Sequence, residues 1–581
     1  MNISDFFASP TKSTHKQYEA LRAYFYEKQN AQIVAKKFGY TIASLYSLTR
    51  DFKKQITDTN NQIETRFFID SQVGRKPRED HDELYNLIVL LRKKYLSVAD
   101  IKSILDAQKK DISEKQIYNI IKTDGFARLP RRNKITRHKV YEQVPIVAPK
   151  SCILENTPDE FNTQNAGILC FLQYIKSYGV DQIISDSNYP QTNTLPRLNS
   201  ILAFIALKLA NIRRYTADDL WCMDRGLGLF AGLNVLPKAA WYTSYSHRIT
   251  REMNLNFLKN LHILWKKRGL LSDTANLDFV AVPYWGDDSH LENNWSGTRH
   301  KALASILAAI VNDPDTGIIS YGDTSVRHDN EADVIIEFLD FYKSAENNAL
   351  KYLIFDSKFT VYENLAKLDD NGVKFITIRK RGKKIVHDIE LLPKTDWKSI
   401  RVQTSNGKTR LLKVNEQIFF LKGYNRQIRQ ITITGNGKIK PALIITNDFE
   451  LELKDVIRKY ALRWLVEKAI SEQTHFFHLN RVSSSMVVKV DFDLTMTILA
   501  HNIYKLLAID LPGYSHYTAQ SLYDKFINNS GVVKIESHSI TVSLKKKRNL
   551  PAILTAMQKY LSQKFNWLNN CKLFIEGATY S

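Results

Sequence analysis

Residues 352–359 read Tyr352-Leu-Ile-Phe-Asp-Ser-Lys-Phe359, four apolar residues that end on Asp356. A short unbroken apolar run is the pattern of a strand buried on both faces of a parallel sheet. An acid at its C-terminal tip stands where open α/β sheets place their ligands. Upstream, Asn276-Leu-Asp-Phe-Val-Ala-Val-Pro-Tyr284 is also apolar and β-branched, but Asp278 interrupts it. A carboxylate inside a strand of central pattern is costly unless something pairs it. Between the two runs, Lys301–Val311 and Thr316–Asp323 read as strands and Glu331–Ala345 as a helix. A helix over Val361–Leu368 and a strand over Val373–Ile378 follow. Strands followed by alternating helix and strand predict a mixed sheet with helices packed on it.

A third acid lies on a helix predicted over Asp455–Leu479. At 100° per residue, Tyr460, Arg463 and Glu467 return to nearly one face. Glu472 lies about 140° further round and is the poorer candidate. Before that helix, Ser399–Asn447 alternates in strand fashion and is broken by Asn406-Gly407 and Asn436-Gly437, which are hairpin turn signals. Taken singly, Asp356 reads equally as a turn or helix cap, Asp278 as a strand-edge charge and Glu467 as a partner for Arg463. Their order and their elements together favour a site. Asp287 and Asp288, the rivals of Asp278, follow Pro283 and Gly286 and read as loop.

Composition bounds the partner. The 581 residues carry 82 Lys+Arg against 60 Asp+Glu, a surplus of 22, with 44% apolar residues. Those proportions exclude a disordered tail, a coiled coil and a collagen-like rod. The surplus implies a polyanion, either nucleic acid or an anionic membrane surface. No apolar run approaches the ~20 residues of a bilayer span, and the N-terminus lacks the basic-then-apolar order of a secretory signal. Cys152, Cys170, Cys222 and Cys571 are far apart in sequence, which excludes a CxxC zinc site and argues against a disulfide framework. A reducing, intracellular compartment is expected, with nucleic acid as the polyanion and no membrane partner.

Residues 1–150 hold 28 Lys+Arg and 17 Asp+Glu, half the surplus in a quarter of the chain. Residues 1–62 read as a helix-turn-helix unit. Tyr18–Lys28 is periodic, Asn30 caps Ala31–Phe38, and Gly39 stops it. A third helix from Thr41 then buries Ile42, Leu45, Leu48 and Phe52, leaving Ser44, Ser47 and Arg50 outward. Residues 63–145 read as a linker and a second such unit, with capping-box spacing at Ser97–Asp100 and Ser113–Gln116. Its last helix turns Lys115, Asn119 and Lys122 outward, and Arg128, Arg131 and Arg132 follow. In the linker, Arg75, Lys76 and Arg78 flank Gly and Pro, which suits minor-groove insertion or a plain connection. A three-helix domain packed on the rest of the protein is the alternative for each unit. Residues 146–270 read as helices (Ala166–Ser177, Leu195–Ala210, Ala217–Leu227, Leu255–Arg268). There Asp224-Arg-Gly-Leu-Gly-Leu is a poor nucleotide loop, since no strand precedes it.

Asp278 in a strand, Asp356 at a strand tip and Tyr460-x-x-Arg463-x-x-x-Glu467 on a late helix resemble the DDE transposases of bacterial insertion sequences. The contexts DFVAVPYWGDD and YLIFDSKF resemble theirs, as does the β-rich stretch between the second and third acids. The resemblance spans roughly residues 270–505 and implies a ribonuclease-H-like core. The chain is then a multidomain α+β protein. A tandem helix-turn-helix front leads to a helical region (146–270) and the first part of the core (271–398). A β-rich insertion (399–448), the helix of the third acid (449–510) and a C-terminal region (511–581) follow. The family pattern usually places a Lys seven residues after the Glu, where this chain has Thr474. His478 and Arg481 are expected on about the face of Glu467, as substitutes for that phosphate contact.

The resemblance implies a catalytic trio, Asp278, Asp356 and Glu467, holding two Mg²⁺ ions, with Mn²⁺ as a substitute. Two carboxylates 4 Å apart repel by about 4 kcal/mol at an effective dielectric of 20. Two hard cations about 4 Å apart relieve that repulsion and suit oxygen ligands. Asp278 and Asp356 are expected to bridge the ions and Glu467 to complete one site, with Tyr460 and Arg463 gripping phosphate at the element end. The expected partners are double-stranded DNA, both terminal inverted repeats and target, and a second copy of the chain in the DNA complex. The expected location is the bacterial cytoplasm at the nucleoid. A catalytically inactive DNA-binding derivative and a metal-dependent nuclease are the alternatives. Arg379–Lys384 reads as a DNA-channel lining or a solvated basic run. Trp285 and Trp295 read as core residues before base-stacking ones.

Overall fold

The structure is a computed structural model. It describes residues 12–58, 81–93, 96–108, 110–126, 154, 158–192, 195–212, 220–284, 291–296, 301–345, 350–403, 409–435, 441–479 and 487–578. Arg75, Lys76, Arg78, Arg128, Arg131, Arg132, Trp285, Asp287, Asp288 and Arg481 lie outside the described residues, as do the two Asn-Gly turns. The chain divides into two compact units, Met1–Val147 and Ala148–Ser581. Among the described residues, no helix is long and apolar enough to cross a membrane.

The first unit holds two three-helix clusters. In one, α1 (Ser13–Phe25), α2 (Ala31–Phe38) and α3 (Ile42–Asp58) bury Ala20, Val34, Phe38 and Leu45 together. The Asn30 side chain accepts from the Gln32 amide at 2.9 Å, and Gly39 turns the chain at φ +62°. Ser44, Ser47 and Arg50 are exposed. Ile42 is 43% exposed rather than in the core. It is the first residue of α3, and the buried positions fall to Leu45 and Thr49 further along. The other cluster comprises α4 (His81–Lys93), α5 (Val98–Ala107) and α6 (Glu114–Thr123). Both capping boxes form, at Ser97–Asp100 and Ser113–Gln116. Ile117 and Ile121 are buried, while Lys115, Asn119 and Lys122 are exposed.

The second unit opens with β1 (Asp159–Thr163), followed by a helical layer that includes α7 (Phe171–Tyr178), α8 (Arg197–Leu209) and α9 (Arg251–Lys267). The helix expected from Ala166 begins instead as a 3₁₀ turn over Ala166–Cys170. The helix expected over Ala217–Leu227 is a 3₁₀ turn over Leu220–Met223 and then a short helix over Arg225–Phe230, within the described residues. Asp224 caps that helix, accepting from the Leu227 amide, so the Gly-containing stretch is a capped helix start. Gly167 lies against the carbonyl of Ile527, where an added Cβ would sit 2.1 Å from the oxygen. Backbone cannot yield as a side chain can. Gly167→Ala is therefore expected to destabilise by about 3 kcal/mol or more, read as a lower urea midpoint.

The sheet that carries the acids runs on from there. Its strands are β2 (Thr274–Pro283), β3 (Asn293–Ser296), β4 (Lys301–Asn312) and β5 (Ile319–Val326). Helix α10 (Val334–Ala345), β6 (Tyr352–Phe355), α11 (Tyr362–Asp370), β7 (Lys374–Ile378) and α12 (Lys383–Glu390) follow. The β-rich stretch supplies β8 (Lys398–Gln403), β9 (Thr409–Leu421), β10 (Arg426–Thr434) and β11 (Ala442–Thr446). The order is β3-β4-β2-β6-β7-β11-β10-β9-β8, with β5 beside β4. Strands β2, β6 and β7 are mutually parallel, and the other pairings are antiparallel. This mixed sheet is consistent with a ribonuclease-H-like core. The β-rich stretch continues the same sheet, because β11 pairs with β7 and covers an edge that would otherwise template association.

The late helices are α13 (Leu453–Leu462), α14 (Trp464–His475) and α15 (Val487–Asp510). Helix α15 is buried on nearly all sides, as a helix between two apolar layers must be. Leu494 and Ile498 pack into the sheet core, while Met496, Leu499 and Ile503 pack into the helical core. A polar knot lies within that packing. Arg251 bonds Asp491 at 2.6 Å and pairs with Asp323 at 3.1 Å, and Asn254 and Thr324 also donate to Asp491. Last come β12 (Gly531–Ile535), β13 (Ser539–Leu544), β14 (Lys564–Phe565) and β15 (Cys571–Gly577). They join β1 in a second sheet of order β1-β12-β13-β15-β14.

Candidate active site

The register of two parallel strands brings the first two acids together. In the β2–β6 ladder, Leu277 stands opposite Phe355. Asp278 and Asp356 are the next residues on the two chains, at the C-terminal end of the parallel strand pair. Neighbouring strands lie about 4.8 Å apart, so the two positions are adjacent. Asn276 shares the face of Asp278 by the two-residue period. Its side chain donates to the Leu462 carbonyl at 3.4 Å, which fixes the end of α13 over that face.

The long helix expected over Asp455–Leu479 is two helices that meet at Arg463. Arg463 keeps a right-handed backbone (φ −54°, ψ −37°). Around it the hydrogen bonds tighten to three-residue spacing, from the Arg463 amide to Tyr460 and from the Val466 amide to Arg463. Such a tightened turn re-aims the side chain it carries. The Arg463 guanidinium reaches Asp278 Oδ2 at 2.5 Å and Glu467 Oε1 at 3.0 Å. Its carbon also sits 5.6 Å from the centre of the Tyr460 ring. Glu467 is the most open member, with 57% of its side chain accessible, against 15% for Asp278 and 12% for Arg463.

The electrostatics tie the three acids into one field. Burial pushes the Asp278 carboxyl up to about 6. Arg463 and the Phe279 amide, at 2.8 Å, pull it down, while Asp356 and Glu467 push it up again. Burial works against the charge on Arg463, but Tyr460, Asp278, Asp356 and Glu467 outweigh it and raise its pKa. Burial also lifts the Tyr460 phenol to about 12. Asp356, Tyr460 and Arg463 all line a cleft of about 890 Å³ between α13 and the β8–β9 hairpin. Among the described residues, no three His, Cys, Asp or Glu side chains are arranged to hold a metal ion. The guanidinium instead neutralises Asp278 and Glu467. The donor set of carboxylate oxygens nonetheless suits a hard divalent cation.

Several expected contacts fall elsewhere. Helix α14 ends at His475, because Phe476 and Phe477 turn into the helical core. His478 then has a left-handed backbone (φ +57°) and its Nε2 meets Asn211 Oδ1 at 2.5 Å, so it does not share the face of Glu467. Glu472 is buried beside His501, with Nδ1–Oε2 at 3.3 Å, away from the solvent-facing Glu467. Trp295 is 60% exposed on β3, which overturns the core expectation for that residue. Arg379 and Arg381 line a second hollow of about 500 Å³ against Ser357, the neighbour of Asp356. Arg410, Lys454 and Arg458 line the larger cleft and were missed from sequence. Only the four-residue spacing of Lys454 and Arg458, one turn before Tyr460, hinted at them.

The comparisons with known proteins bear on this sheet. A search of curated proteins finds no match. Among solved structures, the chain is similar to that titled "Cryo-EM structure of piggyBac transposase synaptic complex with hairpin DNA", at 11% identity. The similarity covers 64% of this chain and 82% of that one at a TM-score of 0.35, too low to carry an argument. A family model described as "Transposase DDE domain" matches residues 287–503. The match includes Asp356, Tyr460, Arg463 and Glu467 and begins after Asp278. Residues 287–503 of the chain are thus similar to the transposase DDE domain family.

Proposed function

We propose that this DNA transposase cuts at the ends of a mobile element and joins them to target DNA, with Asp278, Asp356 and Glu467 as its catalytic acids. The observation that carries the reading is the link of Asp278 to Glu467 through Arg463, with Asp278 and Asp356 each the next residue after the last β2–β6 pair. In this reading the three carboxylates hold two Mg²⁺ ions. Were such ions bound by these carboxylates, the chemistry supplied would be activation of water or a 3′-hydroxyl and charge stabilisation at the leaving oxygen. Asp278 and Asp356 hold the reacting phosphate's position from the rigid sheet, and Glu467 approaches from the solvent side. Arg463 exchanges its carboxylates for a phosphate of the element end, where a planar guanidinium grips two oxygens. Tyr460 steadies that guanidinium through its ring.

DNA capture is assigned to the first unit. Ser44, Ser47 and Arg50 on α3, and Lys115, Asn119 and Lys122 on α6, are exposed on the last helix of their clusters, as groove readers would be. A second copy of the chain brings the other element end, and the protein works at the bacterial nucleoid. The test uses D278A, D356A and E467A with Mg²⁺ and a plasmid-borne element. Each variant is expected to keep DNA binding and lose strand cleavage. Full cleavage by one variant removes that residue from the trio. Sequencing the products for joined ends separates a transposase from a nuclease, which leaves cut ends only.

A further inference from the structure

The cleft beside Asp356 contains chemistry that the three acids do not use. Lys454 and Arg458 stand about one turn apart on α13, about 6 Å along its axis. Arg410 faces them from β9. All three side chains are exposed, and no ion pair ties any of them to an acid among the described residues. Arg381, Arg401 and Arg463 line the same cleft, against Asp356 and Asp455 only, so cations are in surplus there and an anion relieves their repulsion. The floor beneath them is aliphatic, with Leu412, Ile433 and Ile457. A hydrated inorganic anion gains nothing from such a floor. A polymer with anionic backbone and apolar faces matches both rim and floor. At about 890 Å³ the cleft is the size of a small-molecule site. The aliphatic floor favours an unpaired strand, whose base faces are open to it, over a duplex, which keeps them stacked inside. Asp356 and Arg463 line the same cleft, so its occupant lies beside whatever reacts there.

We infer that Arg410, Lys454 and Arg458 hold the phosphates of a single unpaired DNA strand that leaves the catalytic acids through this cleft. The assignment rests on the reading of Asp356 as a catalytic acid. Its test is a binding measurement without divalent cation, so that no cleavage enters. A labelled duplex with a six-nucleotide single-stranded tail is compared with the same duplex blunt-ended, each titrated over a range of salt. The parent protein is expected to bind the tailed duplex more tightly and with a steeper salt dependence. Single strands contribute about 0.7 to the slope per phosphate contact, so R410A/R458A should lose about 1.4 on the tailed duplex and nothing on the blunt one. R410K/R458K keeps the charges and should keep the slope, which separates a lost contact from a disturbed fold. Equal slopes for tailed and blunt duplex in the parent, or equal losses on both in the variant, overturn the inference. Failure of the active-site reading shows separately, as cleavage that survives D356A.

Discussion

Asp278→Asn is expected to abolish strand cleavage and to raise the melting temperature at once. The loss should reach a thousandfold or more, equivalent to about 4 kcal/mol, because a neutral amide cannot share a cation with Asp356. The gain follows from burial. The Asp278 carboxyl sits at about 6 in the fold, above its ordinary 3.8, so folding favours its protonated form. That stabilising contribution is full below pH ~4 and is lost as pH rises through ~6. At pH 8 the ionised carboxylate costs on the order of 3 kcal/mol, which the amide does not incur. D278N should therefore melt above the parent at pH 8 without divalent cation and level with it at pH 4. A variant that melts level with the parent at pH 8 refutes the burial argument, whatever its activity.

Arg251→Ala carries the largest expected loss of stability. Asp491 is 1% exposed, and Arg251 supplies its shortest bond, at 2.6 Å. Burial raises the Asp491 pKa, with Arg251 and Asn254 pulling against it. Removing the cation leaves a buried carboxylate with only Asn254 and Thr324, and Asp323 alongside. Breaking a buried pair from one side costs about 3–5 kcal/mol. The loss should appear as a lower urea midpoint at pH 8 and shrink as pH falls, because the raised pKa of Asp491 lets it take up a proton. R251M/D491N, which removes both charges, should recover a good part of it. A double variant no better than R251A would place the effect in lost packing of the Arg251 stem.

The strands of the site were legible because their apolar runs are short, one ending on an acid and the other interrupted by one. The run ending at Asp356 became β6, and that around Asp278 became β2. The register that sets Asp278 beside Asp356 was not legible, since nothing local to either run specifies it. The break at Arg463 was also hidden. Ala461-Leu462-Arg463-Trp464-Leu465 reads as uninterrupted helix, and the tightened turn there aims Arg463 at Asp278, a residue of another element. His478 was misplaced because Phe476 and Phe477 were counted as helix continuing past His475, whereas both turn inward. Arg410 and Arg458 meet only through the β8–β9 hairpin and α13, which no spacing in the sequence relates.

The pairing of β1 with β12 has a temporal consequence. Asp159–Thr163 finds its partner in Gly531–Ile535, about 370 residues later. At ~5–20 residues per second, a ribosome needs roughly 20 to 75 s to deliver it. During that interval the helical layer lacks the strands that close its core, although the three acids have already emerged. A nascent or prematurely terminated chain thus carries Asp278, Asp356 and Glu467 before the brace behind them exists. Synthesis order itself leaves the closing of the second sheet to the last stretch of translation.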